Sequence, residues 1–315
     1  MASSSAPEPK LRDNVSRVKR PTPGGHALFV GLRGADIALQ YTLLAHHAAN
    51  PLLHFLGVPT LPAPVSVGSS SGLWAGLSAL PLQPRLLLGF AFGSWLKQSY
   101  WAIFITENEM SAGSAIGISL FNSIFNSLNS IASTIAPILA PLLPSVVGAV
   151  LSRIGIVSPS QPDPNTLSPT FLLGAAMCVT GLVVEAVSEA QRHSFKARPE
   201  NKGKVFTGGL FSIARHINYG AYTVWRSGYA LAAGGPVWGA FVFGFFFRDF
   251  ATRGVPVLDG YCSKRVSQML MKIETVREPV LTPRCSCSMA NNGVCTRQRP
   301  GGRSFQGCID EMIPI

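Results

Sequence analysis

The sequence predicts an all-α, polytopic membrane helical bundle of about five to seven spans, with a short C-terminal helical hairpin and cytosolic loops beside it. Three observations predict it. Asp, Glu, Lys and Arg make up only 13% of the 315 residues while hydrophobic residues make up 47%, about half the share of charge expected of a soluble domain. The apolar residues come in long blocks, and mean hydropathy is +0.29. The net charge of +11 is segregated outside those blocks. Lys10, Arg12, Arg17, Lys19 and Arg20 open the chain, a second cluster runs from Arg192 to Arg215, and a third begins at Lys264. Basic loops between apolar blocks are the signature of the cytoplasmic side of a membrane protein. A nucleic-acid groove would interleave aromatic and basic residues, and these segments hold few aromatics, so nucleic acid is not an expected partner.

Residues 1–25 are polar and Pro-rich and read as a disordered cytosolic arm without a secretory leader. An N-terminal membrane region covers 26–169. Within it Ala27–Ala45 is a weak span because it carries Arg33 and Asp36. Residues 50–83 read as a loop, and Leu86–Ile105 and Gly113–Thr134 as firm spans. Ile135–Val157 is apolar, but Pro137, Pro141 and Pro144 break its first turns, which suits a re-entrant or interfacial piece. Residues 158–169 form a loop. Thr170–Ser188 is a further span, and a basic loop covers 189–215. Two apolar blocks of about fifteen residues follow, Gly220–Gly234 and Pro236–Phe250, each short for a full crossing. Gly234-Gly235-Pro236 between them predicts a tight helical hairpin.

The polar residues with chemical potential cluster from Glu185 to Tyr222. Glu185 and Glu189, four apart, share a helix face. Arg192, Lys196, Lys202, Lys204 and Arg215 could grip phosphates, and Gly203, Gly208 and Gly209 let backbone approach a ligand. His216, Asn218 and Tyr219 stand at the mouth of the hairpin. A solvated, basic juxtamembrane loop would look the same.

The order of these residues resembles the C-terminal domain of the steroid 5α-reductase family, in the branch of membrane proteins with a domain of unknown function. The pattern runs through Glu185, Glu189, Gln191, Phe195-Lys196, Asn201-Lys202-Gly203-Lys204, Gly209-Leu210, Arg215-His216, Asn218-Tyr219 and Val255–Asp259 with Tyr261. It marks 170–265 as a reductase-like membrane domain. The resemblance implies an NADPH-dependent reductase of a lipid-soluble, sterol-like enone, placed in the endoplasmic reticulum. Glu189, Lys196, Asn201, Lys202, Arg215, His216, Asn218 and Tyr219 would then bind the cofactor, with Tyr219 and Tyr222 as catalytic candidates. Two positions depart from the pattern: Ile217 replaces a proline, and Tyr222 replaces a glutamate beside the nicotinamide. A phenol is neutral at pH 7 and can only position. The hairpin also resembles isoprenylcysteine carboxyl methyltransferases, which implies S-adenosylmethionine as the alternative cofactor. Those enzymes carry paired glutamates after the hairpin, where this chain has Arg248-Asp249. A degenerate, non-enzymatic member is the third reading.

Asn122, Asn126 and Asn129 share one face of their span with several serines. They are either interhelical hydrogen-bonding groups or a wall of a substrate cavity, with Tyr100, Glu107 and Glu109 as candidate acids nearby. His46, His47 and His54 lack the partners of a metal site, and no metal is expected. Cys178 is an inert packing residue. The Cys-containing tail, 266–315, breaks from the pattern at Val266-Ser267, which reads as a translated intron. Cys285, Cys287, Cys295 and Cys308 are then accidental, with zinc ligation as the rival reading.

Overall fold

A computed structural model describes residues 16, 18–65, 73–139, 166–202, 204–260 and 263. The interfacial segment after residue 139 and the tail from 266 lie outside these residues. Among the described residues the fold is helical, with no strand beyond one bridge between Lys19 and Asn108. Helix α1 is Pro23–Ala45, entered through a proline in its first turn, where a missing N–H costs nothing. Short helices α2 (Asn50–Phe55) and α3 (Leu73–Ala79) interrupt what the sequence suggests is a plain loop. Helix α4 is Leu82–Tyr100, extended by a π-helical turn, Trp101–Ile105. Helix α5, Ala112–Leu139, runs past the expected stop and through Pro137. Helix α6, Pro169–Ala197, is capped by Ser168, whose hydroxyl accepts from the Phe171 N–H at 3.1 Å. It carries Glu189 to Ala197 as helix, where the sequence suggests the loop has already begun.

The predicted hairpin is present. Helix α7, Ile217–Asp249, is broken at Gly235, which has φ 81° and ψ −172°. A straight helix would hold Tyr222 and Phe246 roughly 36 Å apart, yet their ring centroids are 5.3 Å apart. The two arms therefore lie side by side. The first arm packs on α6 through small residues. A Cβ on Gly181 would stand 2.6 Å from the Trp225 nitrogen, and one on Gly228 would stand 2.6 Å from the Cys178 nitrogen. Backbone-to-backbone contact through glycine is a common way for helices to associate in a membrane.

The bundle is apolar outside and polar within. Leu172, Val179, Val183, Phe241, Phe243 and Phe247 are exposed, whereas Arg33, Asp36, Gln40, Asn122, Asn126, Asn129 and Arg226 are buried. That inversion suits a lipid surround. Three helical segments, Pro23–Ala45, Pro169–Ala197 and Ile217–Gly260, are long and apolar enough to cross a membrane. The chain is an integral membrane protein in plan. Helix α1, the weak span of the sequence, is among these three, because Arg33 and Asp36 turn inward and pair with each other at 2.6 Å. Helices α4 and α5 are packed against α1, but polar inner faces lower their hydropathy.

The asparagine stripe of α5 is interhelical bonding, the plainer of its two readings. Asn126 donates to Asp36 Oδ2 at 2.7 Å, Asn129 Oδ1 accepts from Trp238 Nε1 at 2.7 Å, and Asn122 Oδ1 accepts from Gln98 at 3.1 Å. Ser130 donates to Gln40 Oε1 at 2.7 Å. Bonded in this way, most of the polar face costs little, while Asn126 Oδ1 and Ser119 Oγ have no partner among the described residues.

Candidate active site at the mouth of the hairpin

The loop between α6 and α7 folds back over the end of α6. Phe206 packs on Phe195 and Phe211 with centroids 5.0 Å and 5.7 Å away, and Arg192 lies over the Phe211 ring at 5.6 Å. Asn201 donates to the Phe195 carbonyl at 3.0 Å. Gln191 accepts from the Leu210 N–H at 3.0 Å. Gly209 sits at φ 55°, a backbone conformation that favours glycine, and the end of the Gln191 side chain lies against it. Of the residues expected to hold a cofactor, Asn201 therefore shapes the loop, while Lys196 in the last turn of α6 and Lys202 on the loop are exposed.

At the mouth of the hairpin an aromatic stack forms. His216 lies parallel to Tyr219 with centroids 5.7 Å apart, and Tyr219 lies parallel to Phe250 at 4.6 Å. Tyr222 meets Trp225, Phe246 and Phe250 edge-on at 5.2 to 5.6 Å. The antiparallel arms make this possible, since Tyr219 and Tyr222 come from the first and Phe246 from the second. Arg215 is paired with Asp259 at 2.7 Å in an exposed ion pair. His216 Nε2 is buried, 3.6 Å from Asp259 Oδ1, and has no hydrogen-bond partner among the described residues. Asn218 is half-buried beside them in the first turn of α7.

Glu189 lies deeper than a cofactor ligand on an open loop would. It is buried and paired with Lys97 of α4 at 3.2 Å, and Glu185 is paired with the same ammonium at 2.5 Å. Trp225 Nε1 donates to Glu185 Oε2 at 2.7 Å. One turn inward, Arg226 is 2% exposed. Its Nε donates to the Tyr222 hydroxyl at 3.1 Å, its Nη2 to Asn122 Oδ1, and its guanidinium stands 4.3 Å over the Trp225 ring. Lys97, Trp225 and Arg226 were not singled out by sequence reasoning. A lysine or arginine inside an apolar block is a sufficient signal, because such residues in membrane helices face the interior and a partner.

The remaining candidates are placed elsewhere. Glu107 pairs with Lys19, which holds its carboxyl below the usual carboxylate range by a hydrogen bond and by charge. Glu109 pairs with Arg20 at 2.9 Å. Both acids thus fasten the chain before α1 instead of joining the aromatic stack, and Tyr100 is exposed. His46 and His47 bond the carbonyls of Val65 and Leu61, and His54 bonds Thr60. No group of residues among those described could hold a metal ion. The tail cysteines lie outside the described residues.

Comparison with known proteins follows the same stretch of chain. Residues 131–268 match a family described as a protein of unknown function, DUF1295. The chain is also similar to a protein named probable O-methyltransferase ustE from Ustilaginoidea virens. The two are 36% identical over 263 residues, covering 82% of this chain and 86% of the relative. No solved structure matches. The chain belongs to the same family as that probable O-methyltransferase, and its residues 131–268 carry the DUF1295 match.

Proposed function

We propose that the protein is a membrane-bound, S-adenosylmethionine-dependent O-methyltransferase acting on a lipid-soluble acceptor. The observation that carries this reading is the similarity, over most of both chains, to a protein named a probable O-methyltransferase. The residues at the hairpin mouth fit the cofactor. Its sulfonium is favoured by aromatic faces, which Tyr219, Tyr222, Trp225, Phe246 and Phe250 supply. Its amino-acid end carries both charges, which Arg215 and Asp259 complement, and the unpartnered His216 Nε2 offers one further hydrogen bond. When bound, S-adenosylmethionine supplies a methyl group that an acceptor oxygen takes with its own electron pair, the carbon–sulfur pair returning to sulfur. The chain's own residues would hold the two reactants in line, which can contribute a large part of such an acceleration. The folded loop over α6 would exclude water.

The NADPH-dependent reductase suggested by the likeness to steroid 5α-reductases is the second reading. The basic loop residues Lys196, Lys202 and Arg215 favour it, since a dinucleotide phosphate needs cations. It is weakened at Tyr222, where the pattern has a carboxylate and this chain has a phenol already accepting from Arg226. An endoplasmic reticulum location rests on the same likeness.

Ligand-induced stabilisation separates the two. A ligand that binds the folded protein raises its unfolding temperature. The full chain, purified in mild detergent, is expected to be stabilised by S-adenosylmethionine and by S-adenosylhomocysteine, and not by NADPH. Stabilisation by NADPH alone would replace this reading with the reductase.

A further inference from the structure

Tyr222, Arg226 and Tyr229 recur at four and three residues along the first arm of α7 and so share one helix face. That face packs against α4 and α5. Arg226 is 2% exposed and Tyr229 is fully buried. Two of the groups on it lack any hydrogen-bond partner among the described residues, the Arg226 Nη1 nitrogen and the Tyr229 hydroxyl. Both are donors, and buried donors are nearly always satisfied. Neighbouring Asp36 does not supply the acceptor. Its Oδ1 accepts from Gln40 at 2.8 Å, while its Oδ2 accepts from Arg33 at 2.6 Å and Asn126 at 2.7 Å. Each of the three Arg33 nitrogens already has a partner, Asp36, Gln98 at 2.8 Å and Ser94 at 3.0 Å.

The charges leave the same gap. Arg33 and Asp36 cancel, which leaves the Arg226 guanidinium without a carboxylate among the described residues. Lys97 with Glu185 and Glu189 carries the opposite excess beyond the Trp225 ring. Neither of those carboxylates accepts from Arg226 Nη1. Trp225, Phe125, Tyr222 and Phe246 surround the guanidinium within 6 Å, and aromatic faces stabilise a cation but do not take its N–H hydrogens. Asn126 Oδ1 on α5 is likewise buried without a partner, but it is a neutral amide oxygen and leaves the Arg226 charge uncompensated; what is missing is one negatively charged oxygen carried by an apolar molecule.

We infer that Arg226 Nη1 and the Tyr229 hydroxyl bind the acidic oxygen of a lipophilic acid, a carboxylate or an acidic phenolate. A phosphate fits poorly, because a dianion calls for more donors than one guanidinium nitrogen and one hydroxyl. That this acid is the methyl acceptor rests on the function proposed above; the acid site itself does not. Asn122 and Tyr222, which bond Nη2 and Nε, are positioning residues that aim Nη1.

The test is equilibrium binding of radiolabelled dodecanoate to the full chain in non-ionic detergent, with dodecanol and an alkylated 4-nitrophenol as competitors. Dodecanoate should bind saturably, and dodecanol should compete about tenfold or more weakly, the ratio expected for a hydrogen bond to a charged group. Arg226→Gln should remove that preference. Tyr229→Phe deletes an oxygen with no protein partner, so it should fold normally and bind dodecanoate several-fold more weakly. Tyr229→Phe decides the matter if Arg226→Gln does not fold. Stronger competition by the nitrophenol would support the site and assign it to phenolates. Equal competition by dodecanol, or unchanged binding in Tyr229→Phe, would overturn the proposal and leave the orphaned donors to buried water. S-Adenosylhomocysteine binding is measured on the same samples. If it is absent while dodecanoate binding depends on Arg226, the acid site stands and the methyltransferase reading falls.

Discussion

Single residues in this protein are governed by the cost of burying charge in a low-dielectric interior. Asp36 is the buried carboxylate paired with Arg33, and it also accepts from Gln40 and Asn126. Removing one partner of a buried pair leaves an uncompensated charge, which costs about 3–5 kcal/mol. Asp36→Ala is therefore expected to destabilise the protein by that order, measured as SDS-induced unfolding in mixed micelles. Asp36→Asn, which keeps the acceptor oxygen for Asn126 or Arg33, should lose less. Lys97→Met is expected to fall in the same range as Asp36→Ala, because it strands two carboxylates, Glu185 and Glu189, in one buried place. Equal stability of Lys97→Met and the parent would mean those carboxylates are protonated without the lysine. The sequence shows these groups as isolated charges within apolar blocks. Which partners they meet is invisible in it, since Asp36 and Asn126 lie 90 residues apart and only packing makes them neighbours.

At the scale of the element, glycine does two different jobs, and the sequence distinguishes only one of them. Gly234-Gly235-Pro236 reads as a break because a positive-φ residue before proline can hardly be anything but glycine. At Gly235 nothing crowds a Cβ, but φ 81° with ψ −172° is a conformation that L residues rarely adopt. Gly235→Ala should cost about 1–3 kcal/mol through the backbone alone. Gly228 has ordinary helical backbone and no space: a Cβ would meet the Cys178 nitrogen, the Gly174 oxygen and the Met177 side chain within 2.7 Å. Gly228→Val should part α6 from the first arm of α7, with a loss of about 1–3 kcal/mol or more from overpacking, read in the same micellar unfolding assay. Chain statistics mark Gly228 as one more small residue in an apolar block. The hairpin and the long helices were legible because periodicity and punctuation are local. The extension of α6 to Ala197 was not, because residues 189–197 are polar on the sequence but lean on α4 and on the folded loop.

For the whole molecule, orientation follows from where the cations lie. Lys19 and Arg20 are fastened to the segment at Glu107 and Glu109, and Glu107 also feels the charges of His193 and Lys196 at the end of α6. That end carries Arg192, Lys202 and Lys204, and the loop leads directly into Arg215, with Asp249–Arg253 and Asp259 returning to it. At the opposite end of α4 the described residues place Arg85, which caps the carbonyls of Ser78 and Leu80. By the positive-inside rule the crowded end is expected to face the cytoplasm, the compartment in which a soluble cofactor could reach the His216–Tyr219–Phe250 stack. The expectation is tested in sealed microsomes on a chain whose native cysteines are replaced by serine. Lys204→Cys, exposed on the basic loop, should react with a membrane-impermeant maleimide in intact vesicles. Ser78→Cys, exposed at the other end, should react only after permeabilisation. The opposite pattern would turn the aromatic stack toward the lumen and remove the argument that a cytosolic cofactor meets a membrane-dissolved acid there. It would leave the helical packing and the buried ion pairs untouched, because those depend on the interior and not on which side of the bilayer each end occupies.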